Sequence, residues 1–148
     1  MKPTQISTIV LMPLTVMHAH YAQNDVAFYL WFLVLVSSVL FHFTKFEVPL
    51  KERNHLFAYY FDIGCVCLLN VGIIYDVYIH SSYTGYFAIG WGMYIAAIVT
   101  FMMGNHLQIL MFDKDEELRD ISHAIWHILP NLATHMYLAV YQKRIGIE

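Results

Sequence analysis

Polar and charged positions divide the chain into five apolar stretches. The first runs roughly from Ile6 to Tyr21 and contains Pro13. The second covers about Val26 to Phe43, the third Leu56 to Ile79 and the fourth Tyr83 to Met103. The fifth runs from about Ile121 to Tyr141, with Pro130 near its middle. Apolar residues in these stretches are continuous rather than alternating, which predicts helices and argues against a β-barrel. Both internal prolines are expected to kink their helices. The connections are polar: Gln23-Asn24-Asp25, where Asp25 is placed to cap the next helix; Lys45 to Asn54, with Pro49; His80-Ser81-Ser82; and Asn105 to Asp120. Within the last of these, Asp113-Lys114-Asp115-Glu116-Glu117 is expected outside a bilayer. Gly85, Gly90, Gly92 and the Ala96-Ala97 pair suit close approach of the fourth helix to a neighbour. The predicted fold is all-α: a polytopic transmembrane helix bundle of about five spans, forming one membrane-embedded domain over residues 1–148.

Composition strengthens the membrane reading. Apolar residues make up 59% of the chain and charged residues 13%, against about 45–50% and about 25% in soluble domains. The implied environment is a lipid bilayer. Lys2 and the run His18-Ala19-His20-Tyr21-Ala22 give the first stretch some likeness to a cleaved leader, but it is read here as a retained first span. A net charge of −3, without a basic patch, excludes nucleic acid as the expected partner. Cys65 and Cys67 stand two apart, a spacing that does not share a helix face. A disulfide between them is not expected, and both read as core-facing thiols. With five spans, one side carries Lys2, Lys45, Lys51, Arg53, Lys114 and Arg119, while the other carries only Lys143 and Arg144. The positive-inside rule puts the richer side in the cytosol, or in the matrix if the membrane is the mitochondrial inner membrane rather than an endomembrane.

The candidate chemistry starts at the fifth stretch. His123 and His127 stand four apart and share a helix face, so both can reach one metal ion. The residues between them are Ala124-Ile125-Trp126, which excludes the HExxH metalloprotease motif. The predicted topology brings three further polar groups to a similar depth near the same membrane face. Ser38 and His42 end the second span one turn apart, and Asp62 lies in the second turn of the third. Ionisable groups at such depth are costly and mark a functional site by default. Three neutral imidazoles with a water are a catalytic zinc arrangement, in which the metal lowers the pKa of that water to about 7. His42, His123 and His127 are therefore the expected Zn2+ ligands. Asp62 is the candidate general base, and Ser38 is placed to orient a scissile carbonyl or to donate to its oxyanion. Asp76 is expected at the opposite interface, beside Tyr75 and Tyr78. Asn131 and His135 continue the His123/His127 stripe and read as packing groups with satisfied hydrogen bonds.

Two segments carry a resemblance. Ser38-Val39-Leu40-Phe41-His42-Phe43-Thr44-Lys45-Phe46-Glu47 is similar to the Ser-x3-His segment of the alkaline ceramidases. Ser122-His123-Ala124-Ile125-Trp126-His127-Ile128-Leu129 resembles the His-Ala-x-Trp-His segment of the same superfamily, which includes the adiponectin/progestin receptors, the GPI-anchor lipid-remodelling hydrolases and the transmembrane-8 group. The resemblance implies zinc on His42, His123 and His127, with Asp62 and Ser38 assisting hydrolysis of a lipid amide or ester bond. The ceramidase-type Asp would fall near Arg53; Asp62, in Tyr60-Phe61-Asp62-Ile63-Gly64, suits the longer spacing of the transmembrane-8 group. The superfamily has seven spans, so the region between Asp62 and His123 is shorter here by about two helices. The expected function is a compact zinc-dependent membrane hydrolase acting on a lipid substrate. The alternative is a non-catalytic small subunit of a larger membrane complex, of mitochondrial respiratory-chain type for example, that keeps a structural zinc and binds other membrane subunits.

Overall fold

In the computed structural model, residues 2–43, 53–80, 85–107, 109–110 and 114–147 are described. Lys45 to Glu52 and Ser81-Ser82 of the expected connections, the carboxyl end of the Ser-x3-His segment (Thr44 to Glu47) and Asp113 lie outside them. The described residues form five α-helices and no strand. These are α1 (Pro3–Tyr21), α2 (Asp25–Phe43), α3 (Arg53–His80), α4 (Gly85–Leu107) and α5 (Glu116–Ile145). Two of them are long and apolar enough to cross a membrane: α2, with mean hydropathy 2.1, and the segment Phe57–Asp76 of α3, with 1.8.

The helix ends follow local chemistry. Pro3 opens α1, where a missing N–H costs nothing. The cap of α2 is Asn24 rather than Asp25: its Oδ1 accepts the Ala27 N–H at 2.8 Å. The start of α5 lies at Glu116, five residues before the apolar stretch begins. Asp115 Oδ1 accepts from the Glu117 and Leu118 amides at 2.9 and 3.2 Å. Glu116 and Glu117 in the first turn and Lys143 and Arg144 in the last complement the helix dipole. Gly146, at φ +74°, ends α5 in the left-handed conformation that glycine adopts without strain. Helices α1 and α5 remain unbroken through Pro13 and Pro130.

The chain forms two compact units. The first comprises Thr8–Ser81 and contains most of α1 with α2 and α3. Helix α2 packs along α3. The buried face of α2 is Ala27, Trp31, Val34, Ser37 and Ser38; that of α3 includes Ala58, Asp62, Cys65, Leu69, Ile73 and Asp76. These are steps of three and four, one stripe per helix. Their outward residues are large and apolar: Tyr29, Phe32 and Leu40 on α2, Phe57, Leu68, Val71 and Ile74 on α3. The two cysteines diverge as their spacing requires. Cys65 is buried, whereas Cys67 is exposed and so is not core-facing.

The second unit comprises Met1–Ser7 with Ser82–Glu148. Helix α4 packs along α5. Gly90 permits the approach: a Cβ there would stand 3.3 Å from the Ala133 carbonyl oxygen. At Gly92 a Cβ would meet nothing, so only one of these two glycines serves close packing. Trp126 Nε1 donates to the Ala97 carbonyl at 2.9 Å, and Tyr94 and Thr134 join their hydroxyls at 2.6 Å. The buried face of α5 is Ala124, His127, Asn131, Thr134, Tyr137 and Leu138. Its outward face carries Ile121, Ile125, Ile128 and Leu132.

Candidate metal centre

Helix α5 supplies two imidazoles. His123 and His127, one turn apart, bring their ring centroids to 4.8 Å at an interplanar angle of 73°. Trp126, between them in sequence, is turned to α4 by its bond to Ala97 and packs at 5.3 Å on Phe101. That anchor fixes the rotation of α5 where the two histidines project. His127 is buried, and its Nδ1 lies 3.0 Å from the Ser7 hydroxyl. Ser7 Oγ in turn donates to the Thr4 carbonyl at 2.8 Å. Thr4 Oγ1 donates to Asp120 Oδ1 at 2.6 Å. The opening turn of α1 thus holds α5 at two points. One turn beyond His127, Asn131 Nδ2 donates to the His127 carbonyl at 2.7 Å, the packing role expected for that residue.

Helices α2 and α3 supply the acid. Asp62 is only 7% exposed, on the α3 stripe that faces α2. Ser38 Oγ donates to Asp62 Oδ1 at 2.7 Å, and Ser37 Oγ reaches the same oxygen at 2.8 Å. The Ser37 hydroxyl also lies 3.0 Å from the Val34 carbonyl, so its single proton is divided between two acceptors. Ser38 directs its proton to Asp62. One turn further along α2, His42 is half-buried and packs edge-on against Phe41 at 4.8 Å.

One ring nitrogen each from His42, His123 and His127 forms a cluster in which no two are farther apart than 4.8 Å, close enough to hold a metal ion. Imidazole is a donor that zinc, copper, iron and nickel all accept. The donor chemistry therefore fits a divalent transition metal.

Several partners were not foreseen from the sequence. Ser7 and Thr4 lie in a stretch to which only a spanning role was given. The polar run Thr4-Gln5-Ile6-Ser7-Thr8 was the available signal, since it opens α1 on the membrane side predicted for His123. Ser37 is a second serine on Asp62, adjacent to the expected one. Asp76, only 3% exposed, accepts at 2.8 Å from Asn24 Nδ2, a partner the sequence did not announce.

Comparison of the chain with family models, curated proteins and solved structures found no match.

Proposed function

We propose that this chain is a multi-pass membrane hydrolase that uses zinc to cleave a lipid amide or ester bond. The observation that carries the reading is the three-histidine cluster, His42, His123 and His127. The resemblance of the Ser-x3-His and His-Ala-x-Trp-His segments to the ceramidase superfamily supports the same reaction class. In this reading all five helices span the bilayer. The distribution of side chains supports it: hydroxyl, amide, carboxyl and imidazole groups occupy the buried stripes, while outward positions are aromatic and aliphatic. That is the reverse of a water-soluble surface and the expected arrangement in lipid. The basic-rich side then lies in the cytosol or the matrix, and the membrane is an endomembrane or the mitochondrial inner membrane.

Zinc, when bound, would polarise the carbonyl as a Lewis acid and make water a nucleophile at neutral pH. The protein's own residues manage the proton. Asp62 receives the proton given up by the attacking water. At rest Ser38 donates to Asp62; a protonated Asp62 attracts that hydrogen less, which frees the Ser38 hydroxyl to donate to the developing oxyanion. Ser37 stays on Asp62 and keeps it oriented.

Purified protein in nanodiscs should contain about one zinc per chain and hydrolyse a ceramide or acyl-ester lipid, and His123→Ala should lose both. Wild-type protein without stoichiometric metal would sink the proposal. A second reading has one specific support: the described helices number five, against the superfamily's seven spans. A structural zinc in a small subunit of a larger membrane complex would give full metal content, no turnover across the lipid panel, and partner subunits on purification in mild detergent.

A further inference from the structure

The Ser7 hydroxyl has two neighbours, the Thr4 carbonyl oxygen at 2.8 Å and His127 Nδ1 at 3.0 Å. A serine hydroxyl has one proton and two lone pairs. The Thr4 carbonyl can only accept, so the proton goes there. Toward His127 the hydroxyl can then only accept, and Nδ1 must carry the hydrogen. In a neutral imidazole protonated on Nδ1, the lone pair is on Nε2. We propose that Ser7 is a positioning residue: it fixes the Nδ1–H tautomer and the ring plane of His127, which leaves Nε2 as the metal-binding atom. This inference rests on the metal reading above and extends it to a residue on a different helix.

The setting of Ser7 suits that role. Its bond to Thr4 closes within the first turn of α1, so the hydroxyl is fixed by main chain rather than by a flexible side chain. Thr4 also holds Asp120, seven residues before His127 on α5. Two bonds spaced two helical turns apart set both the rotation and the axial register of α5. Ser7 and His127 are both buried, so water does not compete for the bond. Metal-binding histidines generally donate their second ring N–H to such an acceptor, and loss of the acceptor weakens metal affinity by about 10–100-fold.

The test uses full-length protein in detergent micelles with 15N-labelled histidine. In metal-free wild type, His127 should show a protonated Nδ1 and an unprotonated Nε2. Ser7→Ala should lose that fixed tautomer and bind Zn2+ about 10–100-fold more weakly. Ser7→Thr, which keeps the hydroxyl, should restore both. A proton on Nε2 of His127 in wild type would overturn the proposal, as would unchanged zinc affinity in Ser7→Ala. If Ser7→Ala fails to fold, the wild-type spectrum and Ser7→Thr decide the question. The two readings fail separately: wild type that binds no zinc defeats the metal centre, whereas the tautomer is read without metal.

Discussion

The α2–α3 pair and the α4–α5 pair bury polar groups by opposite means. Between α2 and α3 the buried group is an acid, Asp62, and two hydroxyls converge on one of its oxygens. On α5 the buried group is an imidazole, His127, and the Ser7 hydroxyl stands 3.0 Å from its Nδ1. The first arrangement surrounds an acceptor with donors, which stabilises and orients an ionised carboxylate. The second sets a hydroxyl against one nitrogen of a ring that can also bind a metal. The backbones differ in step. At Gly72 on α3 a Cβ would run into the tip of the Leu30 side chain, which can move; at Gly90 on α4 it would press on the Ala133 backbone, which cannot. One pair is adjustable at its seam and the other is fixed, and the fixed pair carries two of the three histidines.

Five substitutions test that contrast, in descending size of effect. His127→Ala should reduce bound metal from about one per chain to near zero by elemental analysis, because an open three-ligand site does not survive loss of a ligand. Retention of stoichiometric metal would break the division of labour. Asp62→Asn should leave the metal content intact while lowering kcat by about 10²–10⁴-fold, the usual worth of a positioned general base. Metal loss in Asp62→Asn would show that the acid belongs to the binding site instead. Gly90→Val should destabilise the fold by about 1–3 kcal/mol through overpacking against backbone, whereas Gly72→Ala should cost less than about 1.5 kcal/mol because Leu30 can adjust. Equal losses in denaturant titration would remove the distinction between the seams. Trp126→Phe keeps the ring packing on Phe101 and deletes only the bond to Ala97, so a loss of about 0.5–1.5 kcal/mol is expected. A metal affinity unchanged in Trp126→Phe would show that the Trp anchor does not set the rotation of the histidines.

Helix identity and the face shared by His123 and His127 were legible because both follow from local spacing. The same holds for Ser38 and His42, one turn apart on α2. Topology was enough to bring Asp62 into consideration, and its buried stripe obeys the three-and-four rule. What the sequence left hidden involves choices between near-equivalent residues or between distant ones. Asn24, not Asp25, caps α2, since either side chain can perform that role. The bond from Asn24 to Asp76 spans 52 positions, which no local spacing announces. Cys67 was assigned to the core because the whole stretch is apolar, and in such a helix composition does not say which side faces inward. Ser7 and His127 stand 120 positions apart, beyond any periodicity argument.

The opening turn of α1 belongs to the same compact unit as α4 and α5, while the rest of that helix belongs to the other. This discontinuity has a consequence for the order of assembly. Thr4 and Ser7 are made 116 and 120 residues before their partners Asp120 and His127. Thr8–Ser81 can collapse as soon as it is synthesised, as domains generally do. The other unit must wait for Asp120 and His127 to be made, long after its first turn. Closing contacts of such long sequence separation is slow, so the maturation of the histidine-bearing unit should be the late, rate-setting event in the life of the nascent chain.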